Sequence, residues 1–133
     1  MSVSVRRAVG SDVDVIGRLR ESSVAESVKY RGHLDPDGRP SEHAVAEVSG
    51  ETVGVIGWVD EATVRTISVV HVHPDARGIG AGDALVAWVI ADATAKGLRS
   101  LRGQALPGDR ETKNLFERNG LVARAIQVER NLG

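Results

Sequence analysis

The 133-residue sequence contains no cysteine, which excludes disulfide bonds, thiolate zinc sites and a cysteine nucleophile. Aromatic residues make up only 3% of the chain, so its core has to be built mainly from Val, Leu, Ile and Ala. No apolar run approaches the roughly 20 residues that span a bilayer, and the N-terminus lacks the apolar segment of a signal peptide. We therefore expect a soluble, cytoplasmic protein with no membrane partner.

The charges nearly cancel, because the chain has 17 Lys and Arg residues and 18 Asp and Glu residues, which gives a net charge of −1. Such a balance gives no electrostatic footprint for nucleic acid or for an acidic membrane. It favours a specific small-molecule or protein side-chain partner. A chain of this length is expected to form one domain, residues 1–133, with one active site.

The N-terminal part is predicted to form a strand and then a helix. Val3–Arg7 alternates apolar and polar residues, which is typical of a half-buried strand. Ser11 is the predicted N-cap of the helix. Its predicted stripe consists of Val13, Ile16, Leu19 and Arg20. The Gly/Pro/Asp-rich segment 30–41 is interpreted as a substrate-side lid or as a solvated connector.

Three strands, another helix and a second strand-helix pair are expected next. The β-rich runs are residues 43–48, 52–59 and 63–72. The first two are joined by a short Gly turn and predict a hairpin. Residues 84–95 have helical spacing, and 100–106 reads as a weak strand. A further helix is predicted from Asp109 to Gly120, with Leu115 and Phe116 on its apolar side, and 121–132 is predicted as a closing strand.

A glycine-rich loop lies between the strand that ends before Pro74 and the next helix, in the stretch HPDARGIGAGDALVAW at 73–88. Gly78, Gly80 and Gly82 alternate there, and glycine allows a ligand to approach the backbone closely. The free N–H groups of a helix N-terminus and its dipole favour anions. The spacing matches neither a Walker A loop nor a dinucleotide fingerprint. The loop therefore predicts a phosphate site of another kind.

Three motifs in order point to a known family. They are Arg-x-x-Gly-x-Gly (Arg77, Gly80, Gly82), Val-x-Val-x-Pro (Val70, Val72, Pro74) and the segment FERNGL at 116–121. With these motifs the sequence resembles the GNAT superfamily of acetyl-CoA-dependent N-acetyltransferases. The resemblance implies a single α/β (α+β) domain with a central mixed, mostly antiparallel sheet, helices on both faces, a splayed fourth strand and a shortened C-terminal strand region.

The resemblance also implies a function and a coenzyme site. The acetyl group of acetyl-CoA would pass to an amine, on a small molecule or a protein, by direct attack on the thioester. The pyrophosphate would be held by the loop amides and the pantetheine arm by the preceding strand. The implied coenzyme-binding residues are Val70, His71, Val72, Arg77, Gly78, Ile79, Gly80, Ala81, Gly82, Asp83 and Phe116. No metal is expected.

The sequence departs from the family at its catalytic positions. The tyrosine that often protonates the leaving thiolate is replaced by Phe116, which has no proton to give. The positions that often carry acids hold Thr66, Ser68 and Gln104, and the usual asparagine of the later helix is Asp109. Our candidates for the general base are His71, His73 and Glu61, because imidazole titrates near neutral pH. The two histidines are alternatively solvent-facing residues of a half-buried strand.

Two other functions remain open from the sequence. Phe116 and the missing acids also fit a coenzyme A-binding module with little catalysis. The His-x-His spacing of residues 71 and 73, with His33 or His43 as a third ligand, fits a metal-dependent enzyme. Acids compatible with a cationic acceptor are Asp35, Asp37, Glu47, Asp60 and Glu61. The short C-terminal region predicts an open sheet edge that a homodimer would cover.

Overall fold

The computed structural model describes residues 2–30, 32 and 42–133. The strands are β1 Val3–Arg7, β2 Glu42–Val48, β3 Glu51–Glu61, β4 Val64–Val72 and β5 Ser100–Arg102. The helices are α1 Val13–Ser27, α2 Ala81–Ala95 and α3 Arg110–Arg118. The strands form one sheet in the order β1-β2-β3-β4-β5, antiparallel up to β4, with β5 parallel to β4. The predicted mixed, mostly antiparallel sheet is confirmed.

The start of α1 differs from the prediction. Asp12, not Ser11, immediately precedes the helix, and its carboxylate accepts the Val9 backbone N–H at 2.8 Å. Arg6 donates to both oxygens of that carboxylate at 2.7 and 2.9 Å. Ser11 is exposed, and Asp12, at the N-cap position, makes no side-chain bond to the first turn of α1, so its carboxylate ties the helix start to β1 and is not a cap. This pairing holds the pKa of Asp12 at about 2.

Helices cover both faces of the sheet, as predicted. Neighbouring residues of a strand point to opposite faces, and the cores follow this rule at Val55 and Ile56. Val55 packs with Ile16 and Leu19 of α1, whereas Ile56 packs with residues of α2 and α3. The predicted α1 stripe is thus right at Ile16 and Leu19. It is wrong at Val13 and Arg20, which are exposed because they lie off the face that meets the sheet.

A β-bulge in β4 changes which side chains face α1. Gly57 pairs with Val69 and Trp58 with Ile67, so Ser68 is the extra residue on β4. An extra residue reverses the in-and-out alternation beyond it. Val70 and Val72 accordingly pack on the α2 side, and His71 points toward α1 with 6% of its surface exposed. The alternative of a solvent-facing His71 is therefore wrong.

A charged cluster lies within the core on the α2 side of the sheet. The Arg65 side chain is fully buried and donates to both carboxylate oxygens of Asp60 at 2.8 and 2.9 Å. It also donates to Asp92 at 2.9 Å and to the Val89 carbonyl at 3.1 Å. Its guanidinium carbon lies 4.7 Å from the centre of a Trp58 ring. This network ties the hairpin end of β4 to α2.

The sheet opens on the far side of β4. β5 pairs with β4 only from Val64 to Thr66, so the edge from Ile67 to Val72 has no strand partner among the described residues. β5 is shorter than the predicted 100–106. At Gly103 an added Cβ would lie 2.7 Å from the Phe116 ring, so this ring packs directly on the backbone where the chain leaves the sheet. The predicted splay is confirmed.

The closing strand predicted at 121–132 is wrong. Residues from 121 to the end have no strand structure, and Val122, Ile126, Val128 and Leu132 are 79 to 91% exposed. The strand β5 is only three residues long. Such a short strand offers too few backbone groups to hold another strand beside it. In the described part of the chain, residues 121–132 therefore have no neighbouring strand with which to form backbone hydrogen bonds.

Candidate functional site

The main cavity opens where β4 separates from β5. Its volume is about 560 Å³, and it lies between the C-terminal end of α1, the end of β4, the glycine loop and the first turns of α3. Both sequence motifs that precede α2 contribute to its walls. A cleft of this size, lined by backbone and a few polar side chains, is the usual setting for a small-molecule site.

The glycines of the loop have different structural roles. Gly78 and Gly80 both adopt φ of +85°, and Gly80 is the N-cap of α2. An added Cβ at either would touch nothing within 4 Å, so the left-handed backbone, not packing, requires glycine there. Gly82 has ordinary φ and would place a Cβ 3.5 Å from Leu115. The two left-handed residues turn the chain from β4 into the helix.

The loop presents a row of free backbone donors. After the Arg77 N–H, which donates to the Pro74 carbonyl at 3.4 Å, the next N–H that bonds to the backbone is that of Ala84, which donates to the Gly80 carbonyl at 3.0 Å. The six N–H groups from Gly78 to Asp83 donate to no other described residue. They lie at the positive end of the α2 dipole, and Gly78, Gly80, Ala81, Gly82 and Asp83 line the cavity. This arrangement suits a phosphate group.

The negative charge of Asp83, the acid in this row of residues, is balanced by hydrogen-bond donors from the end of α3. Arg118 of α3 donates to both oxygens of Asp83 at 3.1 and 3.2 Å, and the Asn119 amide donates at 3.0 Å. These bonds, the one from Arg118 first, lower the pKa of the Asp83 carboxyl. Arg118 also lines the cavity, so the pair brings a cation as well as an anion to the N-terminus of α2.

The unpaired edge of β4 faces the same cavity. The His73 N–H donates to the Val53 carbonyl of β3 at 2.7 Å. Backbone groups of successive strand residues alternate between the two edges, so those of His71 point to β3 and those of Val70 and Val72 point away from it. The Val72 carbonyl accordingly accepts a bond from Nε of Arg77 at 3.2 Å. Val70 and Val72 therefore offer backbone donors and acceptors to a ligand in the splay.

His71 lies at the wall between this cavity and α1. Its Nε2 is 3.2 Å from the Ser22 hydroxyl, and its Nδ1 is 3.9 Å from Oε2 of Glu26. Burial lowers the pKa of His71 below its usual 6.5 and outweighs the opposite effect of Glu26. The imidazole is consequently neutral at pH 7 and has one unprotonated ring nitrogen, which is Nδ1 when Nε2–H donates to the Ser22 hydroxyl.

Arg77 is engaged by α1 rather than free in the cavity. Its NH1 and NH2 groups donate to the two Glu26 oxygens at 2.8 and 2.6 Å. This bidentate bond lowers the pKa of Glu26 to about 2 and raises that of Arg77. Glu111 of α3 lies 3.9 Å away at the rim. Glu26 is therefore a carboxylate, and the Glu26–Arg77 pair spans the cavity between α1 and the loop.

The other predicted residues are not brought into the cavity. His73 is exposed, and its Nδ1 accepts the Asp75 N–H at 3.1 Å. Glu61 pairs with Val64 at the opposite end of β4, about 23 Å along the strand from His71 at ~3.3 Å per residue. Phe116 is buried in the core, and its neighbour Leu115 lines the cavity instead. The Ile79 side chain also packs on the core.

Sequence reasoning missed two residues that line this cavity, Glu26 and Tyr30, and one that lies behind His71, Ser22. Ser22 and Glu26 are four residues apart on α1 and so share one face of the helix, which holds His71 between them. That spacing is visible in the sequence, but its meaning depends on the packing of α1 against β4. Tyr30, the single tyrosine of the chain, lines the cavity beyond the end of α1.

The remaining expectations concern a metal site, the lid and a membrane span. Within residues 2–30, 32 and 42–133 no three His, Asp or Glu side chains come together as metal ligands. His33, Asp35 and Asp37, and nearly all of the predicted lid, lie outside the described residues. No helix in the described part of the chain is long and apolar enough to cross a membrane.

The family follows from a comparison of the whole sequence. The family model of the acetyltransferase (GNAT) domain matches residues 39–122, more than half of the chain. The chain belongs to the GNAT acetyltransferase family. The match runs from the segment before β2 through the glycine loop and α2 to the end of α3, so it contains the cavity walls other than α1. No curated protein matches the chain.

Solved GNAT-like structures share the fold over nearly the full chain. A ribosomal-protein-alanine N-acetyltransferase from Brucella melitensis biovar Abortus 2308 is 23% identical, with a TM-score of 0.74, covering 99% of this chain and 100% of its own. An aminoglycoside acetyltransferase from an uncultured soil metagenomic sample, in complex with sisomicin, is 14% identical, with a TM-score of 0.73 and coverages of 98% and 95%. At these identities the likeness concerns the fold alone.

A third GNAT-like structure was solved with a bound coenzyme. It is a predicted acetyltransferase with acetyl-CoA from Clostridium acetobutylicum, 13% identical, with a TM-score of 0.70. It covers 98% of this chain and 97% of its own. Together with the family match, these structures establish the GNAT architecture for the present protein.

Proposed function

We propose that the protein is an acetyl-CoA-dependent N-acetyltransferase acting on a cationic amine. One observation carries the proposal: five residues with free N–H groups at the start of α2 (Gly78, Gly80, Ala81, Gly82 and Asp83) and the unpaired edge of β4 line a single cavity. A coenzyme whose pyrophosphate is joined directly to an amide-containing arm needs both features side by side.

The residues present fit acetyl-CoA in their donor chemistry. The amides from Gly78 to Asp83 would hold the pyrophosphate, with Arg77 and Arg118 as the nearby cations. The backbone of Val70 and Val72 would bond the amides of the pantetheine arm. Gly78 and Gly80 leave room for the phosphate oxygens, because no side chain covers their backbone. Apart from the glycine itself and its chain neighbours, no atom of the described residues lies within 4 Å of the point where a Cβ would be. When bound, acetyl-CoA supplies an activated acetyl thioester.

His71 is the proposed proton acceptor. An amine is protonated at neutral pH, so it has to lose a proton before its nitrogen can form a bond to the acetyl carbon. The neutral Nδ1 of His71 would take that proton, while Ser22 fixes the other ring nitrogen. As the C–N bond forms, the C–S bond breaks, and the nitrogen of the new amide gives its second proton to the leaving thiolate. That thiolate has a pKa near 8.5 and needs no other acid to leave. Backbone N–H groups of the β4 edge would polarise the carbonyl.

The charge of the cavity supports a cationic acceptor. Glu26, Asp109 and Glu111 line it, and anionic walls raise the local concentration of a cation. The acceptor we propose is a small-molecule amine, and a protein amine is the alternative. We also propose a cytoplasmic homodimer, supported by the exposed apolar side chains of Val122, Ile126, Val128 and Leu132.

A coenzyme A-binding module with little catalysis is the second candidate function. The specific observation in its favour is the position of Phe116, which packs in the core and brings no hydroxyl to the cavity. In that function the coenzyme would act as a structural or regulatory ligand. The two functions differ in turnover but share the coenzyme site.

Release of free thiol from acetyl-CoA tests the proposal. Purified protein is mixed with acetyl-CoA and separate amines, namely an aminoglycoside, a polyamine, an amino acid and a peptide with a free N-terminus. We expect thiol release above the no-protein rate with at least one polycationic small molecule. Coenzyme binding by calorimetry without release from any amine would favour the second function, and no binding would contradict both.

A further inference from the structure

Glu26 is the acid that the fold places nearest to the proposed proton acceptor. It sits near the end of α1, its side chain is 23% exposed, and it lines the cavity. Its two oxygens are both bonded by Arg77, and Lys29 lies 3.5 Å from Oε1. In the described part of the chain no other carboxylate lies within 4 Å of His71. The acid and the imidazole thus share one wall.

The pair with Arg77 neutralises one of the two cations that line the cavity beside the free amides of the loop. A bidentate carboxylate cancels most of the field of a guanidinium at distances beyond the pair. A pyrophosphate that enters the loop attracts Arg77 and repels Glu26, and both forces weaken their bond. Two of the five N–H donors of Arg77 face Glu26 and one faces Val72, so the guanidinium has to turn if its paired edge is to meet the anion.

The space between Glu26 and His71 matches one ammonium group. Oε2 of Glu26 and Nδ1 of His71 are 3.9 Å apart, which is too far for a hydrogen bond between them. A nitrogen placed between the two at about 2.9 Å from each could donate to both. With Nε2 occupied by the Ser22 hydroxyl, Nδ1 is the ring nitrogen left to face this point.

We propose that Glu26 is the acceptor-binding residue, and that its carboxylate passes from Arg77 to the ammonium group of the acceptor when coenzyme enters the loop. The inference rests on the proposed function and adds to it the residue that holds the substrate. Glu26 keeps the ammonium beside Nδ1 of His71, which takes one proton as the nitrogen lone pair attacks the acetyl carbon. Because Glu26 is freed by coenzyme, the amine binds well only to the coenzyme-loaded protein.

The test compares Glu26→Gln with Glu21→Gln. The first removes the charge but keeps the size of the side chain, and the second removes an exposed acid from the same helix outside the cavity. Coenzyme A affinity is measured by calorimetry and the amine KM and kcat by thiol release. For Glu26→Gln we expect about threefold tighter coenzyme A binding, because Arg77 has lost its competitor, and an amine KM about tenfold higher. Glu21→Gln should stay within about twofold of wild type in both.

The inference is overturned if Glu26→Gln binds coenzyme A no more tightly than wild type, or if its amine KM is unchanged. Either result would leave the proposed function standing, since the wild-type protein would still bind coenzyme and release thiol. A wild-type protein that binds no coenzyme A contradicts the proposed function and the inference together. Glu26→Asp gives a further check, because a shorter carboxylate should recover part of the amine KM while glutamine does not.

Discussion

His71→Asn should lower kcat for amine acetylation about 100-fold, which is within the usual contribution of a positioned proton acceptor. Asparagine is close to histidine in size and can still meet the Ser22 hydroxyl, but it cannot accept a proton at neutral pH. Coenzyme A affinity should change little, because the His71 backbone faces β3 and not the open edge of β4. Thiol-release kinetics and calorimetry measure the two quantities separately.

The pH dependence of kcat should identify His71 as the group involved. Burial holds the pKa of His71 below 6.5, so the base is active above that lowered pKa and is lost as pH falls through it. The groups that act on the ring are Glu26 and Ser22 of α1, Arg77 of the loop and His73 beyond β4. We expect a plateau near neutral pH and an acid limb below 6.5, and the limb should vanish in His71→Asn.

His73→Asn is the matched control for this substitution. The residue lies two positions along the same chain segment but is exposed and outside the cavity. Its removal should leave kcat within about twofold of wild type. A loss of kcat in His73→Asn with full activity in His71→Asn would show that His73 is the proton acceptor, and full activity in both variants would show that the proton passes to solvent.

Arg65→Met should lower the free energy of unfolding by about 3 kcal/mol, as expected when one member of a buried ion pair is removed. Methionine fills part of the volume but leaves Asp60 and Asp92 without their fully buried partner. Asp92 keeps Arg7 at 2.8 Å and Lys96 at 3.3 Å, and Asp60 is partly exposed. These remaining contacts place the loss at the lower end of the range for such pairs. Urea denaturation at pH 7 measures it.

Arg99→Met provides the control, since Arg99 is exposed and precedes β5. It should change the free energy of unfolding by less than about 0.5 kcal/mol, which is typical of surface positions. Equal and small losses in the two variants would contradict the view that the Arg65 network holds β4 and α2 together. A rise in stability for Arg65→Met would show that desolvation of the cluster outweighs its internal attraction.

Local patterns predicted much of the fold and the coenzyme loop. The limits of β1 are correct, and Asp109 caps α3 by accepting the Thr112 N–H at 3.1 Å, as expected. The left-handed backbone at Gly78 and Gly80 follows from glycine placed between a strand and a helix. Each of these features is set by residues close together in the sequence, which is why the sequence alone reveals them.

Features that depend on contacts between distant residues could not be predicted. The bulge at Ser68 arises from the register of β3 and β4, and it turns His71 toward α1. No residue type marks this one-residue shift. The expected strand at 121–132 did not form beside β5, which is only three residues long, and the length of β5 is not visible in the sequence of 121–132. The role proposed for Glu26 depends on the packing of α1 against β4, which no local sequence pattern reveals.

The most direct measurement of the central claim is an NMR titration of ¹⁵N-labelled protein with coenzyme A, followed at the amides of residues 78–83. If these six N–H groups hold the pyrophosphate, their resonances should shift strongly and together, because each gains a charged acceptor that it lacks in the free protein. Amides at the opposite edge of the sheet, such as those of β1, should not move. Saturable binding with unchanged resonances at 78–83, or no binding at all, would contradict the account.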